Sequence, residues 1–399
     1  MKAPSPRLAV FLIVLLDVMG FGLIIPSQPF LAKHFGATAA VVTLLGTTYS
    51  AMQFLLAPVW GALSDRFGRR AILLITIAMT MAGHATFAAS KSLAMLFLAR
   101  GLAGTGAANI ATAQAVLADT HAPDQRSRAM ALIGAAFGIG FIFGPAIGGV
   151  LFQIDQRAPA AFGSLLAAIN FFFVLFFLPE TRSSVQAASH PRTKLSDLFS
   201  AGAQLRPLVF TTLLCITAFA LMEQSVGLFI EYHWVSSDSP TALQQATKLT
   251  SLFLVVVGVA ATLVQGIFVR KWLKTTSEVT LFRLGLATIG LSLLSIPLLG
   301  WIGSFALFLV CGVSLALGSG LFNPSMAGLV SLASPADKQG FGLAVNQSAA
   351  SLGRIIGPTT AGLLFSVSEN APFFVAALLA ALGVYISRNI TLNKATQGA

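Results

Sequence analysis

Ile133-Gly-Ala-Ala-Phe-Gly-Ile-Gly-Phe-Ile-Phe-Gly-Pro-Ala-Ile-Gly-Gly-Val-Leu-Phe152 runs for 20 residues without a charge. An α-helix needs about 20 apolar residues to cross a hydrocarbon core about 30 Å thick. The run is continuous and does not alternate, which excludes a strand of a membrane barrel. Basic residues precede it at Arg126 and Arg128, and Asp155 and Arg157 follow it. The rest of the chain reads the same way. Of 399 residues, 56% are apolar and 9% charged, where a soluble domain carries about 45–50% and about 25%. So few charges cannot clothe a water-facing surface, and a soluble globular enzyme is excluded. Disorder is excluded too, since high hydrophobicity is its opposite. Cys215 and Cys311 both sit inside apolar runs, so neither a disulfide framework nor a CxxC metal spacing is present.

Twelve spans of this kind follow one another, at about 8–31, 38–62, 71–90, 92–117, 127–152, 160–178, 207–231, 243–269, 280–298, 301–328, 339–365 and 371–387. The one long polar stretch, 179–206, divides them six and six. The expected fold is an all-α membrane protein of two six-helix bundles, 1–180 and 207–399, joined by a linker loop at 181–206. The first span is too long for a removed signal peptide and lacks a small-residue cleavage site. Lysine and arginine favour cytoplasmic loops. With the N-terminus inside, 18 of the 24 basic residues fall on the cytoplasmic side. Four (Lys33, Lys91, Arg157, Lys248) fall outside, and Arg100 and Arg354 lie in the membrane. Both termini are expected in the cytoplasm. The net charge of +11 is then a topology signal that requires no nucleic acid.

The two halves echo each other. Gly106-Ala-Ala-Asn109 in span 4 returns as Gly320-Leu-Phe-Asn323 in span 10, and Gly140-x-x-x-Gly144-Pro145 in span 5 returns as Gly353-x-x-x-Gly357-Pro358 in span 11. Parallel halves with a mid-bilayer site between them are a known transporter architecture; chance similarity of glycine-rich helices is the competing explanation.

Four motifs carry a resemblance. They are Asp17-Val-Met-Gly20-Phe-Gly22-Leu-Ile-Ile-Pro26 and Gly61-Ala-Leu-Ser-Asp65-Arg66-Phe-Gly68-Arg69-Arg70, with Arg100-Gly-Leu-Ala-Gly104-Thr-Gly106 and Gly140-Phe-Ile-Phe-Gly144-Pro145-Ala-Ile-Gly148-Gly149. Together the chain resembles the major facilitator superfamily, in its twelve-helix drug/proton antiporter branch. Residues 8–180 most resemble the bacterial tetracycline/proton antiporters, and the second half matches in outline. The resemblance implies the major facilitator fold and proton-coupled export by alternating access.

Each motif also has a physical reading of its own. Asp65-Arg66-Phe-Gly68-Arg69-Arg70 is a tight turn in which Gly68 permits an awkward backbone. Asp65 can satisfy free N–H groups at a helix N-terminus; symmetry and resemblance nominate span 11, near Gly340. Asp119, ending span 4, is an acid within reach of the arginines. Gly61, Asp65, Arg66, Gly68, Arg69, Arg70 and Asp119 then form a conformational latch; the plainer alternative is that the arginines only set topology. Gly140, Gly144 and Gly148 share one helix face, with Gly149 beside them, and small residues in this spacing let helices approach closely. Pro145 favours a bend. Plain packing and a leak-tight seam between the halves are both compatible with this pattern.

Charges inside the membrane are costly and functional by default. Asp17 and Arg100 fall at nearly one depth, about 15 Å and about 13 Å from opposite edges. A carboxylate there, weighed between burial and a nearby cation, lets a proton and a cation compete; a permanent ion pair is the alternative. The tetracycline resemblance implies an acid at about Gly83, where this chain has glycine, and one in span 9, where it has none beyond Glu278 at the start. Recognition of a magnesium–tetracycline chelate is therefore not implied. His84 is a proton-coupling candidate, or else a packed histidine. In the second half, Glu223 and Arg354 are read at similar depth, as a proton-coupling pair or with Arg354 lining the cavity. Gln53, Gln114, Gln224, Asn323, Asn346 and Gln347, with Phe229 as an aromatic wall, are cavity candidates suited to bulky amphipathic ligands.

The expectation is an inner-membrane antiporter exporting small amphipathic molecules for protons, acting as a monomer without cofactor or metal. Alternatives are a symporter importing a metabolite and, from another class, a membrane receptor or enzyme. No GxxxxGK[ST] loop is present, and five scattered histidines form no catalytic cluster.

Overall fold

The computed structural model describes residues 6–120, 123–180, 205–236, 239–264, 272, 275–334, 339–388 and 390. Asp119 and Gly340 lie on helices, but their side chains, like the 181–204 loop, fall outside the described residues. Among the described residues every regular element is a helix. In the first half these are α1 (Pro6–Ile24), α2 (Gln28–His34), α3 (Ala39–Phe67), α4 (Arg69–Ala88), α5 (Leu93–Gly106), α6 (Ile110–Thr120), α7 (Pro123–Ile154) and α8 (Ala158–Phe177). The second half has α9 (Leu205–Trp234), α10 (Ala242–Leu263), α11 (Glu278–Ile302), α12 (Phe305–Ala333), α13 (Gln339–Val367) and α14 (Ala371–Ser387).

Over their described residues all twelve expected spans are helical, with two refinements. Span 1 is broken, with α1 and α2 meeting at 42°. Pro26 lies in the break and has no N–H to continue the ladder, and Ser27 Oγ caps the Ile24 carbonyl at 3.0 Å. Span 4 is α5 and α6 joined by a single 3-10 turn, Ala107–Asn109. Among the described residues nine helices are long and apolar enough to cross a membrane, ten with the bent α1–α2 pair. The remaining two spans are α14, shorter at 17 residues, and α13. That helix carries Asn346, Gln347, Ser348, Ser351 and Arg354, which lower its hydropathy. Helix starts are fixed by hydroxyl caps: Thr38, Ser92, Ser277 and Ser304 each accept the N–H three residues on. Such a cap is worth about 1 kcal/mol.

Two compact units emerge, Met1–Ser189 with Val235–Gly258, and His190–Trp234 with Val259–Ala399. Residues 235–258 fall in the first of these units, although in sequence they follow the 181–206 stretch. The reason is local. Phe152 packs with Phe30 and Ala246, and Gln153 donates to the Gln244 carbonyl at 2.9 Å.

Candidate functional site

The glycines of α7 decide where α1 lies. A Cβ on Gly140 would stand 2.7 Å from Val18, and one on Gly144 would stand 2.8 Å from the Gly22 Cα. Gly148 meets the Leu23 backbone in the same way. The i, i+4, i+8 face therefore packs inside the first unit, against the helix bearing Asp17. For these three glycines that is the plain-packing reading. Backbone-to-backbone approach is what three aligned glycines are for, and α1 offers Gly22 to match. Pro145 completes the contact, its Cδ 3.0 Å from where a Gly22 Cβ would be. Only Gly149, on the adjoining face, abuts α10, at Ser251.

So positioned, α1 presents Asp17 and Phe21 to a polar pocket in the first bundle. Asp17, Phe21, Tyr49, Thr80, His84, Ala103 and Ala107 line it. Asp17 has the Asn109 side chain as its polar neighbour, although the Asn109 amide does not reach full hydrogen-bond geometry. The direct Asp17–Arg100 ion pair is not formed. Arg100, 3% exposed, lays its guanidinium 4.3 Å from the Tyr49 ring centroid and 5.7 Å from that of Phe21. Phe21 is one helical turn beyond Asp17, so Arg100 meets α1 at an aromatic face instead of the carboxylate. The two rings stack at 4.9 Å. A desolvated cation over such faces gains about 2 kcal/mol. Gln53 ties α3 to the 3-10 turn by donating to the Ala107 carbonyl at 3.1 Å. Position 83 has no room for an acid, since a Cβ there would stand 2.6 Å from the Ala103 nitrogen. The glycine that departs from the tetracycline pattern is thus required by the α4–α5 approach.

The turn between α3 and α4 has the tight backbone expected at Gly68, but Asp65 is engaged within the turn and a residue outside the motif, Glu180, takes part. Gly68 takes φ +97°, a conformation L side chains rarely adopt. Asp65 pairs with Arg69 at 2.6 Å, and Arg69 also donates to Ser64 Oγ at 2.7 Å. The free N–H groups opening α4 go to Glu180: Arg69 N to Oε1 at 2.9 Å and Arg70 N to Oε2 at 3.2 Å. Arg70 donates to the Leu175 carbonyl. Glu180 is a site residue the motif reading missed. Its signal was an acid directly after Leu178-Pro179, where the following loop is mostly basic. Arg66 lies over Phe67, and Gly61 faces open space, with nothing within 4 Å of a Cβ placed there.

The second bundle repeats the seam and changes the chemistry. Cβ atoms on Gly353 and Gly357 would meet Thr217 N at 3.0 Å and Ala220 Cβ at 2.5 Å on α9. Met19 and Thr217 are thus equivalent, as are Gly22 and Ala220, each pair 198 residues apart. The same step from Asp17 reaches Cys215, which is buried in apolar surroundings. Asn346 accepts from Thr212 Oγ1 at 2.6 Å. Gln114, Asn323, Gln347 and Arg354 are exposed, while Glu223 and Gln224 are half-buried. Phe229 is not a cavity wall. It is 0% exposed and packs against Phe308, Phe373 and His233. Large aromatic surfaces with such neighbours are core. Among the described residues no group of three or more metal-ligating side chains occurs.

A profile of the Major Facilitator Superfamily matches residues 10–310 and 277–397. The tetracycline resistance protein, class D, of Salmonella ordonez is 30% identical over 92% of this chain and 91% of its own length. Multidrug resistance protein 1 of Bacillus subtilis is 26% identical over 92% of each chain. The crystal structure of the human organic anion transporter MFSD10 (TETRAN) superposes with a TM-score of 0.72 at 25% identity, covering 96% of this chain and 100% of that one.

Proposed function

The chain belongs to the major facilitator superfamily, and from that premise we propose that it exports small amphipathic, drug-like molecules in exchange for protons. It is a multi-pass membrane transporter and not an enzyme. The relatives that cover nine-tenths of the chain are drug-resistance proteins, which places drug export first among substrate directions. We place it in a bacterial inner membrane as a monomer, with both termini cytoplasmic and no cofactor.

The observation carrying the proton-coupled part is the pocket of the first bundle. An acid, Asp17, shares it with His84, while the one buried cation nearby, Arg100, is held on aromatic rings one turn away. Asp17 is therefore an acid that can take and release a proton without first breaking an ion pair. Protonation removes a buried charge, and a conformational equilibrium responds to a ligand only through such differential stability. The turn of Asp65, Arg69, Arg70 and Glu180 supplies the latch, a set of charges that rearranges between states. In the second bundle, Glu223 and Arg354, with Gln224, Asn346 and Gln347, are proposed to meet substrate. The tetracycline chelate itself is not the proposed substrate, because position 83 holds a glycine the packing requires.

The test is purified protein in proteoliposomes under an imposed pH gradient, screened first by ligand-induced thermal shift. Uptake of a thermal-shift hit that stops when the gradient is collapsed by an ionophore is expected. Uptake insensitive to the gradient would overturn proton coupling.

A further inference from the structure

His84 is 2% exposed, and neither of its ring nitrogens has a hydrogen-bond partner among the described residues. Buried polar atoms in that condition are rare and call for an explanation. The ring fits because two helices give way to it. A Cβ on Gly20 of α1 would stand 3.1 Å from Nε2, and one on Gly163 of α8 would stand 3.4 Å from Cγ. Nε2 thus faces α1, where Gly20 stands one helical turn beyond Asp17. Beside the ring lies a cavity with about 10 Å³ open to the centre of a water molecule, lined by Asp17, Thr80 and His84 among others. Thr80 Oγ1 is likewise buried, 5% exposed, and without a partner.

That space holds about one water, and a bound water needs two to four polar partners. Asp17, Thr80 and His84 provide three. A small cation would fit the volume, but the charge of Arg100 acts on His84 and opposes it. We propose that the cavity is a built site for a single water linking the Asp17 carboxyl to His84 Nε2, and that a proton taken up at Asp17 reaches the imidazole through it. This rests on the reading of Asp17 as the proton-coupling acid. In the step, the carboxyl O–H breaks as its proton passes to the water oxygen, and the water gives one of its own protons to Nε2. Carboxylate and imidazolium result, and the water is restored. Among the described residues, the titratable or charged side chains at this level are Asp17 on α1, Tyr49 on α3 and Arg100 on α5. The described part of α8 carries none, and Asp65 and Arg66 lie at the far end of α3. Asp119 ends α6, its side chain outside the described residues.

The experiment is ¹⁵N NMR of the full-length, histidine-labelled protein in lipid nanodiscs, with His84→Gln assigning the resonance among the five histidines. Asp17→Asn should move the His84 titration midpoint by about half a pH unit or more. Thr80→Val, which removes a water partner and no charge, should change the Nε2 shift and keeps the question decidable if Asp17→Asn does not fold. A His84 that does not titrate, or that titrates identically in wild type and both variants, overturns the link. So does a His84 signal that responds to sodium over choline at constant pH, which assigns the cavity to a cation. The underlying reading fails separately. Gradient-driven export by Asp17→Asn at the wild-type rate would remove Asp17 from coupling, while lost export with an unmoved His84 signal removes only the water link.

Discussion

The seam of α7 on α1 and the seam of α13 on α9 are two copies of one packing solution that carry different chemistry. In both, a glycine and a second glycine four residues on bring backbones into contact. In the first, the helix so held presents Asp17; in the second, the equivalent place is Cys215. Arg100 lies 214 residues before Ser314, the interval that separates Asn109 from Asn323. Where Arg100 sits on Tyr49 and Phe21, Ser314 only accepts a hydrogen bond from Ser292 at 2.9 Å. Conversely Phe141 beside the first seam corresponds to Arg354 beside the second. The scaffold is duplicated and the ionisable groups are not: the first bundle carries Asp17 and Arg100, and the second carries Glu223 and Arg354 at other positions. On the proposed function, proton handling is assigned to the first.

Breaking the scaffold should hurt both halves alike and give the largest effect. Gly144→Leu and Gly357→Leu each push a branched side chain into a facing helix, where overpacking costs about 3 kcal/mol or more. Each should abolish the monodisperse peak in fluorescence-detected size exclusion, while Gly61→Ala, which meets open space, leaves it intact. Tolerance of Gly357→Leu alone would break the equivalence of the seams.

Breaking the chemistry should hurt one half only. Asp17→Asn is expected to fold and bind ligand but to lose about a hundredfold in gradient-driven export, the scale of a lost proton-transfer group. Cys215→Ala should change export by less than about twofold, since the group it removes is a buried thiol that handles no proton. Equal losses from the two would mean that the second bundle also carries the proton.

A smaller, third contrast lies at the helix ends. Arg70 of α4 reaches the Leu175 carbonyl near the end of α8, and Arg283 of α11 caps Ser387 at 2.8 Å at the end of α14. Of these two ends, α4 has an acid on its opening N–H groups, Glu180. Glu180→Gln weakens a charge-assisted cap worth about 1 kcal/mol. It should slow export roughly fivefold at that energy, with ligand affinity unchanged by calorimetry. Arg283→Gln should lower melting temperature without changing export per folded molecule. Lost ligand affinity in Glu180→Gln would place that residue in binding and not in the latch.

Spans, repeat and turn were legible because each depends on local composition: an uncharged run, a glycine interval, a positive-φ glycine between charges. What escaped was direction. The i, i+4, i+8 glycines read equally well as plain packing or as a seam with the other half, and the match with Gly22 of α1 appears only in the structure. Depth counting put Asp17 and Arg100 level but could not see that Arg100 lies on the rings of Tyr49 and Phe21. Phe229 looked like a wall because an aromatic near an acid has no sequence mark separating cavity from core. Glu180 was overlooked because its partners, the N–H groups of Arg69 and Arg70, are more than a hundred residues away.

The smallest expected effect concerns the second bundle's own charges, Glu223 and Arg354. Residue counting from the ends of α9 and α13 places them at similar depth, but the seam sets a different register. Gly353 lies against Leu213 and Thr217, and Gly357 against Thr217, Ala220 and Leu221, so Arg354 is level with about Thr217. Glu223 is six residues farther along α9, roughly 9 Å at 1.5 Å per residue. Helical side chains lean toward their own N-termini, and since α9 and α13 run in parallel, both lean the same way and the offset persists. Contact then requires the Arg354 side chain to extend along the helix axis, and Arg354 is exposed while Glu223 is half-buried. An ion pair with an exposed member contributes about 0–1 kcal/mol. In a double-mutant cycle on thermal stability, Glu223→Arg with Arg354→Glu should therefore recover only about 0.5–1 kcal/mol of what the single changes lose. A recovery several times larger would show that the second bundle carries a tight ion pair, unlike Asp17 and Arg100 of the first. A recovery of zero would show that Glu223 and Arg354 do not couple to each other.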